Sequence, residues 1–208
     1  DGEAPVDNSG SSLSLASDGN GTTTVAIGAL TNDGGGQNSG HLRVFQIKQG
    51  WLDWKQIGQD IDGDGPHANF GCSVSLSTDA RTVAAEACGY QDTLGYTQVY
   101  RLEEGEWMQL GQTIQSGEIV GYYSGGSISL SGDGNVLAIG GPWDMQGGDL
   151  VRVYQINEQS DGPMWKQYGN IVYGVAAFQG GGWSVSLSLD GKTLAVGAPM
   201  NYHNGHNS

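Results

Sequence analysis

The chain has 208 residues, 37 of them Gly, and carries a net charge of −14 with only eight Lys plus Arg. That balance disfavours nucleic acid and anionic lipid as partners, because both need cationic neutralisation. No stretch approaches the roughly 18 apolar residues of a membrane span, so no membrane span is expected.

The elements follow one another in four copies of a single text. In copy one, Ser12 to Leu15 alternates small polar and apolar residues, the period-two signature of a strand. Asp18-Gly19 and the sequon Asn20-Gly21-Thr22 form a turn, which makes Asn20 a candidate glycosylation site. Val25 to Ile27 is a second strand, His41 to Ile47 a third, and Trp54-x-Gln56-x-Gly58 opens a fourth. Copy two repeats these strands at Ser73 to Ser77, Val83 to Ala85, Thr97 to Leu102 and Trp107-x-Gln109-x-Gly111. Copy three has them at Ser127 to Ser131, Val136 to Ile139, Leu150 to Tyr154 and from Trp165. Copy four holds only Ser184 to Ser188 and Leu194 to Val196. Leu15, Leu76, Leu130 and Leu187 mark the register, each with a Gly five positions earlier (Gly10, Gly71, Gly125, Gly182) and an Asp three later.

A period of roughly 55 residues means stacked units that cannot bury their apolar faces alone. No segment shows a helical apolar period, so the chain reads as all-β. Four antiparallel strands per unit, with small residues on the first two, is the arithmetic of a β-propeller blade. Inner strands are crowded by neighbouring blades, whereas the recurring Trp suits the outer gap where blades diverge. Residues 1–208 form one repeat array, with copies at approximately 9–69, 70–123, 124–180 and a partial 181–208. About three and a half blades cannot close a ring, so the chain is expected to be part of a larger propeller or to be completed by another chain. An N-terminus reading Asp1-Gly2-Glu3 points to a processed or excised chain.

Phe70-Gly71 at the head of a first strand, with Gly140-Gly141-Pro142 and Val196-Gly197-Ala198-Pro199 at the ends of second strands, resembles the FG-GAP repeat. Integrin α-chain propellers and secreted microbial proteins carry such repeats. The Ser-x-Asp-Gly-x-x-Leu-Ala runs around Asp133 and Asp190 are similar to those of bacterial propellers. The resemblance implies an extracellular module with protein or glycan ligands. In integrin-type repeats the turn between strands one and two often holds calcium. Here each such turn offers one carboxylate, so those sites do not carry over.

Asp60-Ile61-Asp62-Gly63-Asp64-Gly65 is the sharpest chemical motif. Alternating Asp60, Asp62 and Asp64 ahead of a turn could converge on calcium, or form a solvated acidic loop between blades. Cys72 and Cys88 are the only cysteines. With a three-residue loop at Asp79 to Arg81, counting outward sets Cys72 opposite Cys88, at disulfide spacing. A slip of one residue would instead leave two buried thiols. A bridge implies an oxidising compartment. His203 and His206 have a spacing that can serve a metal but read as a tail, and Gly34 to Gly36 and Gly180 to Gly182 read as loops. Trp51, Trp143, Tyr122, Tyr123, Tyr173 and Tyr202 lie outside the repeating positions, where recognition aromatics would sit. No catalytic pair is legible. The sequence therefore points to a secreted, non-enzymatic module for adhesion or extracellular assembly. The alternative is a propeller-type carbohydrate-active enzyme with a channel-mouth site.

Overall fold

The computed structural model describes residues 2–89, 94–115, 126–141, 150–158, 160, 162–173 and 181–199. These form strands and turns, with no helix among the described residues. Copy one is a sheet of β1 (Ser9–Ser17), β2 (Thr22–Ala29) and β3 (His41–Lys48), whose outer strand comes in two pieces, β4 (Lys55–Gln56) and β5 (Ile61–Asp62). Copy two repeats this as β6 (Phe70–Leu76), β7 (Thr82–Ala87), β8 (Tyr96–Glu103), β9 (Glu106–Gln109) and β10 (Ile114–Gln115). Copy three has β11 (Ser127–Leu130), β12 (Val136–Gly141), β13 (Leu150–Asn157), β14 (Met164–Gln167) and β15 (Val172–Tyr173). Copy four is the hairpin β16 (Ser184–Leu187) and β17 (Leu194–Gly197).

The fold is a β-propeller array. Strand one of each copy is innermost: β1 packs on β6, β6 on β11, and β11 on β16. Each gap between sheets has its own apolar core. Leu42, Phe70, Val74 and Val83 fill the first, Val99, Ile128 and Leu137 the second, and Ala138, Val151 and Val185 the third. Stability is thus built from nearest-neighbour interfaces.

The alternation along strand one sorts its two faces. The apolar residues (Val74 and Leu76, Ile128 and Leu130, Val185) are buried against the preceding sheet. The serines face the following sheet and accept hydrogen bonds from its inner backbone. Ser14 Oγ accepts from Leu76 N at 2.9 Å, Ser73 Oγ from Ile128 N at 3.2 Å, and Ser75 Oγ from Leu130 N at 3.0 Å. Ser127 Oγ accepts from Val185 N at 3.0 Å and Ser129 Oγ from Leu187 N at 2.9 Å. A strand already paired with its own sheet on one side offers free N–H groups on the other, and the short hydroxyls satisfy them where no longer side chain would fit.

The outer gap carries a second device. Trp107 and Trp165 are each 2% exposed. Their indole N–H groups donate to Ile57 O (2.9 Å) and Leu110 O (2.8 Å) of the preceding copy. Gln59 and Gln112 hold the backbone N and O of the same Trp residues. The ring enters at the break between the two pieces of the outer strand, where Gly58 and Gly111 have φ of 71° and 77°. A Cβ at Gly58 would overlap the Trp107 ring, and one at Gly111 would lie 2.9 Å from Trp165 Cδ1. That explains the Trp-x-Gln-x-Gly spelling: the Gly is where the next blade's Trp inserts.

Two details depart from the sequence expectation. Strand four is interrupted, so Ile61 and Asp62 belong to a strand (β5, paired with Leu42 and His41) rather than to a loop between blades. The first hairpin of copy two pairs Leu76 with Val83, which makes its loop four residues, Thr78 to Arg81, instead of three. In every turn the Asp is engaged locally. Asp79, Asp133 and Asp190 each accept from a Ser hydroxyl at 2.6 Å and from the N–H two residues on.

Candidate functional site

Both ends of the array expose surfaces that inside it are covered. Leu13 and Leu15, on the β1 face that corresponds to buried Val74 and Leu76, are 63% and 68% exposed. Trp54, the counterpart of Trp107 and Trp165, is 45% exposed. At the other end Ser184 and Ser186, the counterparts of the interface serines, are exposed. Gly169, the counterpart of Gly58 and Gly111, has φ of 78° and, among the described residues, no atom within 4 Å of where its Cβ would stand. Trp183, Leu189 and Val196 add apolar surface there. Each end thus presents one half of the interface that joins the blades internally.

Cys72 and Cys88 are joined, with an S–S distance of 2.03 Å and a Cα–Cα distance of 6.1 Å. The route differs from the counting argument. Phe70 pairs with Ala87 and Ser73 with Glu86, so Gly71 and Cys72 form a bulge with no residue opposite. Gly71 has φ of 81°, and the same bulge recurs at Gly10 in copy one. The marker Gly of copies one and two is thus a bulge residue, and the two cysteines meet across this bulge rather than as directly opposed residues of the ladder. Asn20 is exposed in the turn between β1 and β2, its N–H held by Asp18 Oδ1 at 2.7 Å.

The acidic run does not stay together. Asp64 belongs to copy two: its Oδ2 accepts from Gln98 at 3.0 Å and its N–H donates to the Tyr96 hydroxyl at 2.7 Å. Burial pushes the Tyr96 hydroxyl up to about 12. Asp60 and Asp62 remain beside copy one, where Asp62 faces His41 across the β3–β5 ladder and Asp60 Oδ1 accepts from Gln56 at 2.5 Å. Burial raises the Asp62 carboxyl against the opposing pull of His41, with Asp60 and Glu3 adding to the rise. Ligand atoms of Glu3, His41 and Asp60 lie within 4.8 Å of one another, the one such group of three among the described residues. His41 is fully buried, and its Nδ1 stands 4.0 Å from Glu3 Oε2. Burial first, then Arg43, holds His41 below the ordinary imidazole value.

Sequence reasoning passed over Glu3 and His41, which carry no motif and are brought together only because the N-terminal segment lies on copy one. It also passed over Glu86. This residue is fully buried on β7 at the position held by Gly28 in β2 and Gly140 in β12. The break in the Gly pattern was the available signal. Trp51 has Lys55 Nζ at 4.6 Å and Lys48 Nζ at 5.3 Å from its ring, while Tyr173 is exposed. Trp143, Tyr122, Tyr123, Tyr202, His203 and His206 lie outside the described residues. A cleft of about 220 Å³ opens between the turns of copies one and two, lined by Asp18, Thr24, Gln46, Lys48 and Asp79 among others.

No family model matches the chain, and no curated protein matches it. Solved structures do. One is a protein assigned as a 6-phosphogluconolactonase from Bacteroides uniformis, with a TM-score of 0.58 and 13% identity over 89% of this chain and 47% of that one. A second is hydrazine synthase of Kuenenia stuttgartiensis, with a TM-score of 0.50 and 12% identity over 90% of this chain and 49% of that one. A third is the complex of KlAtg21 with the coiled coil of AgAtg16, with a TM-score of 0.52 and 16% identity over 85% of this chain and 47% of that one. The likeness is one of fold. The chain spans about half the length of these structures.

Proposed function

We propose that this chain is a non-enzymatic extracellular β-propeller module, a building block whose blades are continued by further blades and whose loops engage a protein or glycan ligand. The observation that carries this reading is the exposure of Leu13 and Leu15, where the same positions of the next copies are buried. Leaving a Leu side chain in water forgoes about 1.5–3 kcal/mol. The occupant that fits is another blade bearing the Ser-x-Ser inner strand, since its hydroxyls would meet the free N–H groups of Leu13 and Leu15. That blade comes from another chain or from a longer form of this one. The disulfide supports an oxidising, extracellular setting, and the resemblance of Phe70-Gly71 and Val196-Gly197-Ala198-Pro199 to the FG-GAP repeat is the ground for protein or glycan ligands. Calcium at Asp60, Asp62 and Asp64 is no part of this reading, because Asp64 is engaged by copy two.

The test is light scattering on the purified chain, with Leu13→Asp/Leu15→Asp as the disrupting variant, beside a screen of glycans and purified extracellular proteins. A mass above one chain that falls to one chain in the variant, with a ligand retained, supports the reading. A monomer at high micromolar concentration with no ligand overturns it when a form extended by further blades also leaves Leu13 and Leu15 uncovered. The enzyme alternative has one observation behind it, the buried Glu86 carboxylate where other copies have Gly. Turnover of a polysaccharide that Glu86→Gln abolishes would replace the module reading.

A further inference from the structure

The geometry points to a binding site for a divalent transition-metal cation of the zinc class, formed by His41, Glu3 and Asp60. His41 opens β3 with 1% of its surface exposed, and its Nδ1 is buried with no hydrogen-bond partner. A buried nitrogen without a partner costs about 1–3 kcal/mol, so its retention needs a cause. The His41 ring lies beside two carboxylates from distant parts of the chain, with Nδ1 toward Glu3: Glu3 stands before the first strand, and Asp60 between the two pieces of the outer strand.

Nδ1 to Glu3 Oε2 is 4.0 Å, and all three ligand atoms fall within 4.8 Å of one another. A tetrahedral ion with ligands at about 2.0–2.2 Å sets them about 3.3–3.6 Å apart, so the group has to close by roughly 0.5–1.5 Å on binding. Glu3 can supply that movement, because its side chain is 49% exposed. The surroundings are those of an oriented site. Arg43 holds Glu3 Oε1 at 3.4 Å, Asn32 Nδ2 reaches Glu3 Oε2 at 3.4 Å, and Gln56 holds Asp60 Oδ1 at 2.5 Å, leaving Asp60 Oδ2 for an ion. Asp62, opposite His41 in the ladder, adds a further negative charge. An imidazole with two carboxylates suits zinc-like ions, whereas calcium takes six to eight oxygens. Three protein ligands leave a fourth position open to water or to a donor group of a partner.

The experiment is isothermal titration of Zn²⁺ and, separately, Ca²⁺ into the disulfide-intact chain, in a His203→Ala/His206→Ala background that removes the competing histidine pair. The expected result is one equivalent of Zn²⁺ bound, little or no Ca²⁺ bound, and a Co²⁺ derivative with the visible absorption of a tetrahedral site. Glu3→Gln and His41→Ala should each lower Zn²⁺ affinity by at least roughly tenfold. Glu3 is half-exposed and outside the strands, so Glu3→Gln keeps the fold even if His41→Ala does not. Absence of stoichiometric Zn²⁺ binding, or binding that Glu3→Gln and Asp60→Asn leave unchanged, overturns the assignment.

Discussion

Replacing Ser73 and Ser75 by Ala tests the central claim that the Ser-x-Ser text joins one blade to the next. Each substitution removes one oxygen and creates almost no cavity, so the loss is confined to the acceptor. Two backbone N–H groups, of Ile128 and Leu130, lose partners at 3.2 and 3.0 Å inside a part-buried interface. Leaving a buried donor unsatisfied costs about 1–3 kcal/mol, and partial exposure places each near the lower half of that range. The pair together should cost roughly 2–4 kcal/mol. In a chain of this size 1 kcal/mol moves Tm by about 2–4 °C, so the double variant should melt roughly 5–15 °C lower. The matched control is Ser184→Ala/Ser186→Ala, chemically identical but exposed at the last hairpin. Its effect should stay within about 0.5 kcal/mol. Circular dichroism melts of the three proteins, at equal concentration and with the disulfide intact, make the comparison. Equal Tm losses for the internal and terminal pairs would refute the reasoning, since a mere strand-propensity effect would touch both alike.

Gly58→Ala and Gly169→Ala should separate backbone strain from inter-blade packing. Both residues have positive φ, which costs Ala roughly 1–2 kcal/mol, but only Gly58 lies against a Trp ring, so its unfolding free energy in urea titrations should fall further by roughly 1–3 kcal/mol. Reducing Cys72–Cys88, separated by 16 residues, with a dithiol should raise the intact mass by two hydrogen atoms and lower stability by about 3 kcal/mol in urea titrations. Acid should loosen the turns. The Asp190 carboxyl is held below its ordinary value of 3.8 by the Ser188 hydroxyl and the Lys192 N–H. At Asp133 burial pushes upward, but the Ser131 hydroxyl and Asn135 together outweigh it and hold that carboxyl low. Because the folded values lie below the unfolded ones, this stabilisation is present above about pH 4 and is lost as pH falls through the folded values. Asp133→Asn should therefore flatten the acid limb of a urea-midpoint series from about pH 6 down to about pH 3; an unchanged limb would sink the idea.

The repeat was legible because its physical causes are local. Alternation in Ser127 to Leu130, turn chemistry at Gly132 to Gly134, and a lone Trp followed by Gln and Gly each encode a strand, a turn or an outer contact within a few residues. The outward placement of Trp107 and Trp165 followed from wedge geometry alone. The register around Cys72 was not legible, because a bulge shifts pairing by two residues and depends on the left-handed conformation of Gly71. The break in the outer strand escaped notice for a related reason: its cause is a Trp from the next copy. Glu3, His41 and Asp60 meet through tertiary contact between segments that share no motif. The acidic run misled because β5 turns Asp62 toward His41 while the chain carries Asp64 on to Gln98.

The serine hydroxyls at each seam recognise peptide N–H groups, which every residue except proline possesses. A blade therefore tolerates wide variation in its successor, provided the inner ribbon keeps its spacing. At the hub the joint is generic rather than keyed, so units can be duplicated, deleted or exchanged provided the outer Gly and the Trp that meets it are kept. Architectures of this kind are free to diversify at their rims while their hubs stay nearly constant.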